Sequence, residues 1–172
     1  MMHWQILTEK EMALAYDIGR EVIEKEMANN HTGNNRLSKY AGYVGQIAAM
    51  KFYNALNVDD YEYDLSHNGQ RLEVKTKVRS VLPNAGFSCC VYASNAEQLC
   101  DAYVFCQAMR NPDDKTKLLH GAYILGWVSR EDYERRFHYV AKGDFDDDRE
   151  EPADCFKIRI GELNAPQKLN EA

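Results

Sequence analysis

Hydrophobic and polar residues follow two different periods along the chain, and the change of period separates predicted helices from predicted strands. Apolar residues recur at helical spacing over residues 9–29 and again over residues 37–56, which predicts two amphipathic helices. Thr8 and Glu11 form a capping box that marks the start of the first helix. After residue 60 the apolar runs become short or alternating, as in strands. The pattern therefore predicts an α/β domain.

The second predicted helix is almost entirely apolar. Lys39 and Lys51 are its charged residues, so we expect most of its surface to be buried. Gly42 and Gly45 lower its helix propensity, which close approach to a sheet would offset. Gln46 is a polar side chain among small and apolar ones, and it needs hydrogen-bond partners if it is buried. Backbone groups of the core or a neighbouring functional site can supply them.

The stretch from residue 61 to residue 79 predicts a β-hairpin. At its centre, Asn68-Gly69 is a strong signal for a two-residue type I′ turn, because that turn requires positive φ at both central positions. With this turn His67 faces Gln70, and the pairing of the two strands is defined along their length.

This register divides the hairpin into two faces, because side chains alternate along a strand. The apolar face, which we expect to join the core, carries Tyr61, Tyr63, Leu65, Leu72, Val74 and Val78. The charged face carries Glu62, Asp64, Glu73, Lys75 and Lys77. On this second face Asp64 is predicted to lie directly opposite Glu73, and Lys75 projects beside Glu73.

Two facing carboxylates repel each other in an antiparallel sheet. Oxygen donors arranged in this way suit a hard divalent cation, and Lys75 would be placed to orient a metal-bound water or to hold a phosphate. The alternative is an exposed strand face on which Glu73 pairs with Lys75 or Lys77. A register slip of one residue would separate the three groups.

These residues resemble the PD-(D/E)XK nuclease superfamily, the restriction-endonuclease-like group. The matching features are Asp64, the triplet Glu73-Val74-Lys75 and a preceding helix that contains Gly45 followed by Gln46. Helix, strand, Asn-Gly turn and strand follow one another in the family's order. Small proteins of this shape are also similar to nucleases encoded by phages or mobile elements.

The resemblance implies a metal-dependent endonuclease that hydrolyses phosphodiester bonds of nucleic acid, with DNA favoured. Asp64 and Glu73 would bind Mg²⁺ or Mn²⁺ together with the backbone carbonyl of Val74. Lys75 would orient the attacking water or neutralise the phosphate, and Gln46 would hold the water or a ligand from the helix side.

The chain departs from the family's pattern at three places. Gln46 stands where many members have Glu, Tyr63 precedes Asp64 where many have Pro, and residues 94–99 allow only a short helix. These departures keep a second hypothesis open: a nuclease-like scaffold that binds nucleic acid or a protein partner without cleaving. The oligomeric state also stays open, a homodimer included.

Chain length and charge distribution limit the domain organisation and the nucleic-acid binding that this chain can have. The 172 residues predict a single domain, with residues 1–36 forming an N-terminal helix and loop, residues 37–109 the motif-bearing core and residues 110–172 a C-terminal extension. The net charge is −6, but residues 31–80 carry seven Lys/Arg against five Asp/Glu, which is a local balance of +2. A local patch can thus bind phosphates despite the overall acidity.

The remaining sequence points to a cytoplasmic protein with reduced thiols and no membrane association. We find no signal peptide and no apolar run long enough to span a bilayer. The five cysteines form no CxxC pair and lie in apolar runs, which disfavours a disulfide framework, a zinc site or a thiolate nucleophile. Further strands are predicted at 87–92, 101–109, 120–128 and 155–160, and a third helix at 129–140, giving a mixed sheet of about five to six strands.

Overall fold

The computed structural model describes residues 2–29, 36–58, 62–95, 98–146 and 149–171. Its helices are α1 (Glu9–Ala28), α2 (Arg36–Tyr53) and α3 (Arg130–Arg136). Its strands are β1 (His3–Ile6), β2 (Leu56–Asn57), β3 (Leu65–His67), β4 (Gln70–Arg79), β5 (Ser88–Tyr92), β6 (Ala102–Arg110), β7 (Leu118–Ser129), β8 (His138–Val140), β9 (Phe145–Asp146), β10 (Arg149–Glu150) and β11 (Cys155–Arg159). Within these ranges, no helix has the length and apolar character needed to cross a membrane.

The central element is a mixed six-stranded sheet in the order β1-β7-β6-β4-β3-β2. Strands β4 and β6 run parallel, with Glu73 beside Tyr103 and Lys75 beside Phe105. The other neighbouring strands of this sheet pair antiparallel. The predicted α/β fold, a single domain with a mixed sheet flanked by helices, is confirmed.

Two hydrophobic clusters cover the two faces of this sheet. Helices α1 and α2 pack on one face, where the buried residues include Leu72, Val104 and Ile124. The second face packs against α3 and a smaller sheet of order β5-β11-β8, and its buried residues include Tyr103 and Phe105. The molecule therefore has three layers, with the six-stranded sheet in the middle.

The connection between the parallel strands β4 and β6 differs from the usual helical crossover. The described part of this connection passes through β5, which pairs with β11 in the smaller sheet, and then through a 3₁₀ turn at Ala93–Asn95. The strands predicted at 87–92 and 155–160 therefore exist, but they belong to the smaller sheet. Their pairing is a long-range property that local periodicity does not contain.

Two predicted helix ends are corrected by the structure. The helix predicted over 129–140 ends at Arg136, and His138–Val140 forms β8 against β11, as suits its aromatic and β-branched residues. The helix predicted to reach residue 56 ends at Tyr53, because Asn54 adopts a left-handed conformation with φ of 50°. The polar loop predicted over 29–35 and the core position of Tyr61 lie outside the described residues, apart from Asn29, which caps α1.

Helix α2 approaches β4 closely at Gly45. A β-carbon built on Gly45 would lie 2.9 Å from Cβ of Thr76 and closer still to its hydroxyl oxygen. The same construction on Gly42 meets nothing within 4 Å. The close approach that the sequence predicted for both glycines is thus required only at Gly45.

Gly45→Ala should therefore destabilise the protein, because overpacking a well-packed contact costs about 1–3 kcal/mol. Gly42→Ala is the matched control on the same helix, and it should stabilise by roughly 0.5–1 kcal/mol through helix propensity. Thermal melting of both variants measures the difference, at about 2–4 °C per kcal/mol for a domain of this size. Equal melting temperatures for the two variants would contradict the proposed contact.

Candidate functional site

The candidate site is built on β4, whose alternating side chains face two different layers. Leu72 and Val74 belong to the cluster under α2, as predicted. Glu73 and Lys75 point to the opposite layer, beside Tyr103 and Phe105 of β6. The turn that begins β4 has φ of 49° at Asn68 and 80° at Gly69, and His67 pairs with Gln70. The predicted type I′ hairpin is therefore confirmed at its turn.

The register departs from the prediction at Asp64. The paired ladder between β3 and β4 ends at Leu65 and Leu72, and the Asp64 N–H donates to the Leu72 carbonyl at 3.0 Å. Asp64 and Glu73 therefore do not form the expected directly opposed pair. Instead, Oδ2 of Asp64 accepts a hydrogen bond from the Val74 N–H at 2.7 Å. This contact holds the Asp64 carboxylate beside β4, one residue along from Glu73.

Glu73 and Lys75 form a close ion pair on the same strand face. Lys75 Nζ lies 2.6 Å from Glu73 Oε1, and the two side chains are 18% and 6% exposed, respectively. Lys75 Nζ also donates to Oε1 of Gln98 at 3.1 Å. Because both charged groups are largely out of water, removing either partner leaves a costly charge behind.

Gln46 is buried, at 7% exposure. Its Nε2 donates to Oδ1 of Asn57 at 2.9 Å rather than to Asp64 or Glu73. Asn57 pairs with Leu65, the residue that follows Asp64. The structure thus holds the Asp64 carboxylate against β4, at the residue between Glu73 and Lys75, and it bonds Gln46 to β2 instead.

The donor set around β4 fits a hard divalent cation in its chemistry. Asp64 and Glu73 supply two carboxylates, and the carbonyl of Val74 points to the same strand edge as its N–H, where Asp64 lies. Among the described residues, no group of three or more His, Cys, Asp or Glu side chains forms a metal cluster. A metal here would therefore depend on two carboxylates, a backbone carbonyl, and oxygen atoms of water or substrate.

Sequence reasoning missed Gln98, which contacts Lys75, and Arg130, which contacts Gln98. The Gln98 side chain accepts a hydrogen bond from Lys75 Nζ through its Oε1. The Gln98 backbone carbonyl accepts another from Nη1 of Arg130 at 3.2 Å. Nη1 of Arg130 also donates to the Tyr103 hydroxyl at 2.6 Å. Arg130 turns inward because it stands at the first position of α3, directly after buried strand β7. That position was the available signal.

The two later arginines of α3 pair with acidic residues of their own helix. Arg135 pairs with Glu131 at 3.1 Å and with Asp132 at 3.0 Å, and Arg136 lies 3.8 Å from Asp132. They are local helix pairs and do not join the candidate site.

The cysteines near the site are poor nucleophiles. Burial raises the pKa of the Cys100 thiol, and the negative charge of Glu73 raises this pKa further. Burial also raises the pKa of Cys89 to about 12. Thiolate formation at neutral pH is thus disfavoured, which agrees with the expectation from their apolar surroundings.

No protein-family model matches the chain, and no curated protein matches it either.

The Asp64 hydrogen bond leads to a stability prediction in metal-free buffer. Asp64→Ala removes the acceptor for the Val74 N–H, and an unsatisfied backbone donor costs about 1–3 kcal/mol. Asp64→Asn keeps an oxygen acceptor and removes a negative charge near Glu73, so its stability should equal or exceed that of the parent. Melting curves in EDTA compare the three proteins. An Asp64→Ala protein as stable as Asp64→Asn would argue against the contact.

Proposed function

We propose that the protein is a metal-dependent endonuclease that hydrolyses phosphodiester bonds of nucleic acid, with DNA as the favoured substrate. The observation that carries this proposal is that the Asp64 carboxylate lies against β4 at the Val74 N–H, the residue between Glu73 and Lys75. The Val74 N–H holds one carboxylate in place, and Lys75 holds the other. This placement agrees with the roles implied by the family resemblance.

Asp64, Glu73 and the Val74 carbonyl would hold Mg²⁺ or Mn²⁺. Such an ion lowers the pKa of a bound water and stabilises charge on the transferring phosphoryl group. Lys75 would exchange its contact with Glu73 Oε1 for the phosphate or the attacking water, since its ammonium carries three donors. Gln98 would steady Lys75 during this exchange, because its Oε1 already accepts from Nζ.

Lys75 is the residue whose role separates catalysis from metal binding. It offers no oxygen ligand, so Lys75→Ala should retain Mn²⁺ binding while plasmid nicking falls about 100-fold or more. Lys117→Ala is the matched control, because Lys117 lies in the β6–β7 turn and pairs there with Asp114 at 3.1 Å. Nicking assays and Mn²⁺ titration calorimetry measure both effects.

Two results would overturn parts of this account. A Lys75→Ala protein that nicks as fast as the parent would remove Lys75 from the chemistry. A parent that nicks with neither Mg²⁺ nor Mn²⁺ would favour the second candidate, a scaffold that binds nucleic acid or a protein partner without cleaving. The close Glu73–Lys75 ion pair and the Gln46 bond to Asn57 are the observations that favour this alternative.

A further inference from the structure

Strand β4 lies inside the central sheet, yet one of its two edges is open over part of its length. It pairs with β6 from Leu72 to Arg79, whereas its pairing with β3 stops at Leu72. Beyond that point the Asp64 carboxylate accepts a hydrogen bond from the Val74 N–H. From Thr76 onward, no strand in the described part of the chain pairs with this edge of β4.

The hydrogen bonds near the start of β4 show which of its backbone groups face the open edge. The Leu72 carbonyl accepts from the Asp64 N–H, so it points towards β3. The Val74 N–H points in the same direction, because it donates to the Asp64 carboxylate. The direction of backbone groups repeats every second residue of a strand. Thr76 and Val78 therefore present their N–H and C=O groups at the open edge.

These backbone groups of Thr76 and Val78 have no hydrogen-bond partner among the residues that the structure describes. The side chains of the same two residues hold the strand in place from the other side. Thr76 contacts Gly45 of α2, and Val78 packs against the hydrophobic cluster under α2. A fixed row of unpaired N–H and C=O groups is a template on which another chain can pair.

A cavity of about 390 Å³ borders this part of β4. Four consecutive residues of the strand, numbers 75–78, line it. Consecutive side chains point to opposite faces of a sheet, so one cavity reaches all four where it passes around the edge between the faces. The edge towards β6 is paired, which leaves the open edge. An added strand would lie about 4.8 Å from β4, within this space.

The kinds of backbone group at the edge distinguish a polypeptide from a nucleic acid. Thr76 and Val78 each offer one donor and one acceptor, so donors and acceptors alternate along the edge. A polypeptide strand supplies both kinds of group at the same repeat. Phosphate oxygens of a nucleic acid act as acceptors, so the carbonyls of the edge would oppose them. The edge therefore matches an extended polypeptide.

Charge indicates the chemistry of the incoming strand. Lys75, Lys77 and Arg110 line the cavity, and no Asp or Glu lines it in the part of the chain that is described. Opposite charges that face each other across two strands are favourable, and like charges are unfavourable. This attraction acts through charge, so the cations keep the hydrogen bonds that they already form.

The same charges disfavour a second copy of β4 as the partner strand. Pairing of two β4 edges would set the lysines of one copy against Lys75 and Lys77 of the other, and like charges directly opposite each other destabilise a sheet. A strand from another protein, with acidic side chains at alternate positions, has no such conflict.

We propose that the open edge of β4 at Thr76 and Val78 binds an extended acidic segment of a partner protein by strand addition. The segment pairs with the N–H and C=O groups of these two residues. Its acidic side chains lie on the face that carries Lys75 and Lys77. A segment bound there lies next to the Val74 carbonyl and covers the candidate metal site from that side. The binding itself does not depend on the proposed nuclease activity.

The test follows backbone amide NMR signals of isotope-labelled protein during titration with synthetic peptides in EDTA. The acidic probe is a nine-residue peptide with glutamate and threonine at alternating positions and with blocked termini. A second peptide has lysine in place of glutamate. The acidic peptide should shift the amide signals of Thr76 and Val78 and bind at least about fivefold more tightly than the lysine peptide. The amide of Ile6, which is 62% exposed on edge strand β1, should not shift.

Methylation of the peptide backbone tests strand addition without altering the protein. Alternate N–H groups of a strand face the same neighbour, so methylating the glutamate nitrogens and methylating the threonine nitrogens block opposite edges of the peptide. One methylated peptide should bind at least about tenfold more weakly, because several hydrogen bonds to β4 are lost. The other should bind as tightly as the unmodified peptide.

A variant removes one donor from the protein side. Val78→Pro deletes the N–H of Val78, and proline is compatible with an unpaired strand edge. Val78→Ala is the matched control, because it retains the N–H while it also loses packing against the cluster under α2. Val78→Pro should bind the acidic peptide at least about threefold more weakly than Val78→Ala. Melting curves report whether both variants fold, and the methylated peptides decide the question if Val78→Pro does not.

The inference is overturned if the acidic peptide leaves the Thr76 and Val78 amides unshifted, or if both methylated peptides bind equally well. An oligothymidylate that shifts these amides when the acidic peptide does not would identify the edge as a nucleic-acid contact, which also overturns it. Nicking assays test the nuclease separately. Peptide binding by a protein that does not nick would retain strand addition and remove the nuclease proposal, and nicking without peptide binding would do the reverse.

Discussion

The hydrogen bond from the Val74 N–H to the Asp64 carboxylate defines the arrangement around β4. It replaces the main-chain bond that a continued hairpin would form, so the ladder ends at Leu65 and Leu72. In the described part of the chain, no strand of the sheet pairs with β4 beyond Leu72 on that side. One contact thus holds a carboxylate against β4 next to the position of Glu73 and ends the pairing of β3 with β4 at Leu72.

Strand β4 carries several charged side chains, and it is packed on both of its faces. Under α2, the contact of Gly45 with Thr76 fixes the helix close to β4. On the other face, Tyr103 and Phe105 of β6 are 0% and 1% exposed and form the apolar surroundings of Glu73 and Lys75. Such surroundings strengthen the Glu73–Lys75 attraction and raise the cost of leaving either charge alone. A metal and a phosphate arriving together would give each charge a new partner.

Local sequence signals predicted the turn that precedes β4 and the direction of most of its side chains. Asn68-Gly69 specified the turn because its φ values allow few other residues, and alternation assigned Val74 and Lys75 to opposite faces. The same register, extended by one pair, predicted that Asp64 lies directly opposite Glu73. This prediction was wrong, because the Asp64 carboxylate, and not a backbone carbonyl, accepts the hydrogen bond from the Val74 N–H. Register can be read from a turn only as far as the ladder continues.

Other features depend on contacts between distant segments. β5 pairs with β11 instead of with a strand of the central sheet. Ser88 and Tyr92, the two ends of β5, therefore belong to the smaller sheet. Arg130 turns inward to the Tyr103 hydroxyl because α3 starts at the end of a buried strand. The pairing of β5 with β11 has no periodicity signal, and the one signal for Arg130 was its position directly after β7.

The central claim is that Asp64, Glu73 and the Val74 carbonyl form one metal site. Crystals soaked in Mn²⁺ and measured for anomalous scattering test it most directly. The account predicts one peak within about 2.5 Å of an oxygen from each of the three residues, with Lys75 Nζ displaced from Glu73 Oε1. No peak at β4 under saturating Mn²⁺, with the Glu73–Lys75 pair intact, would contradict the claim.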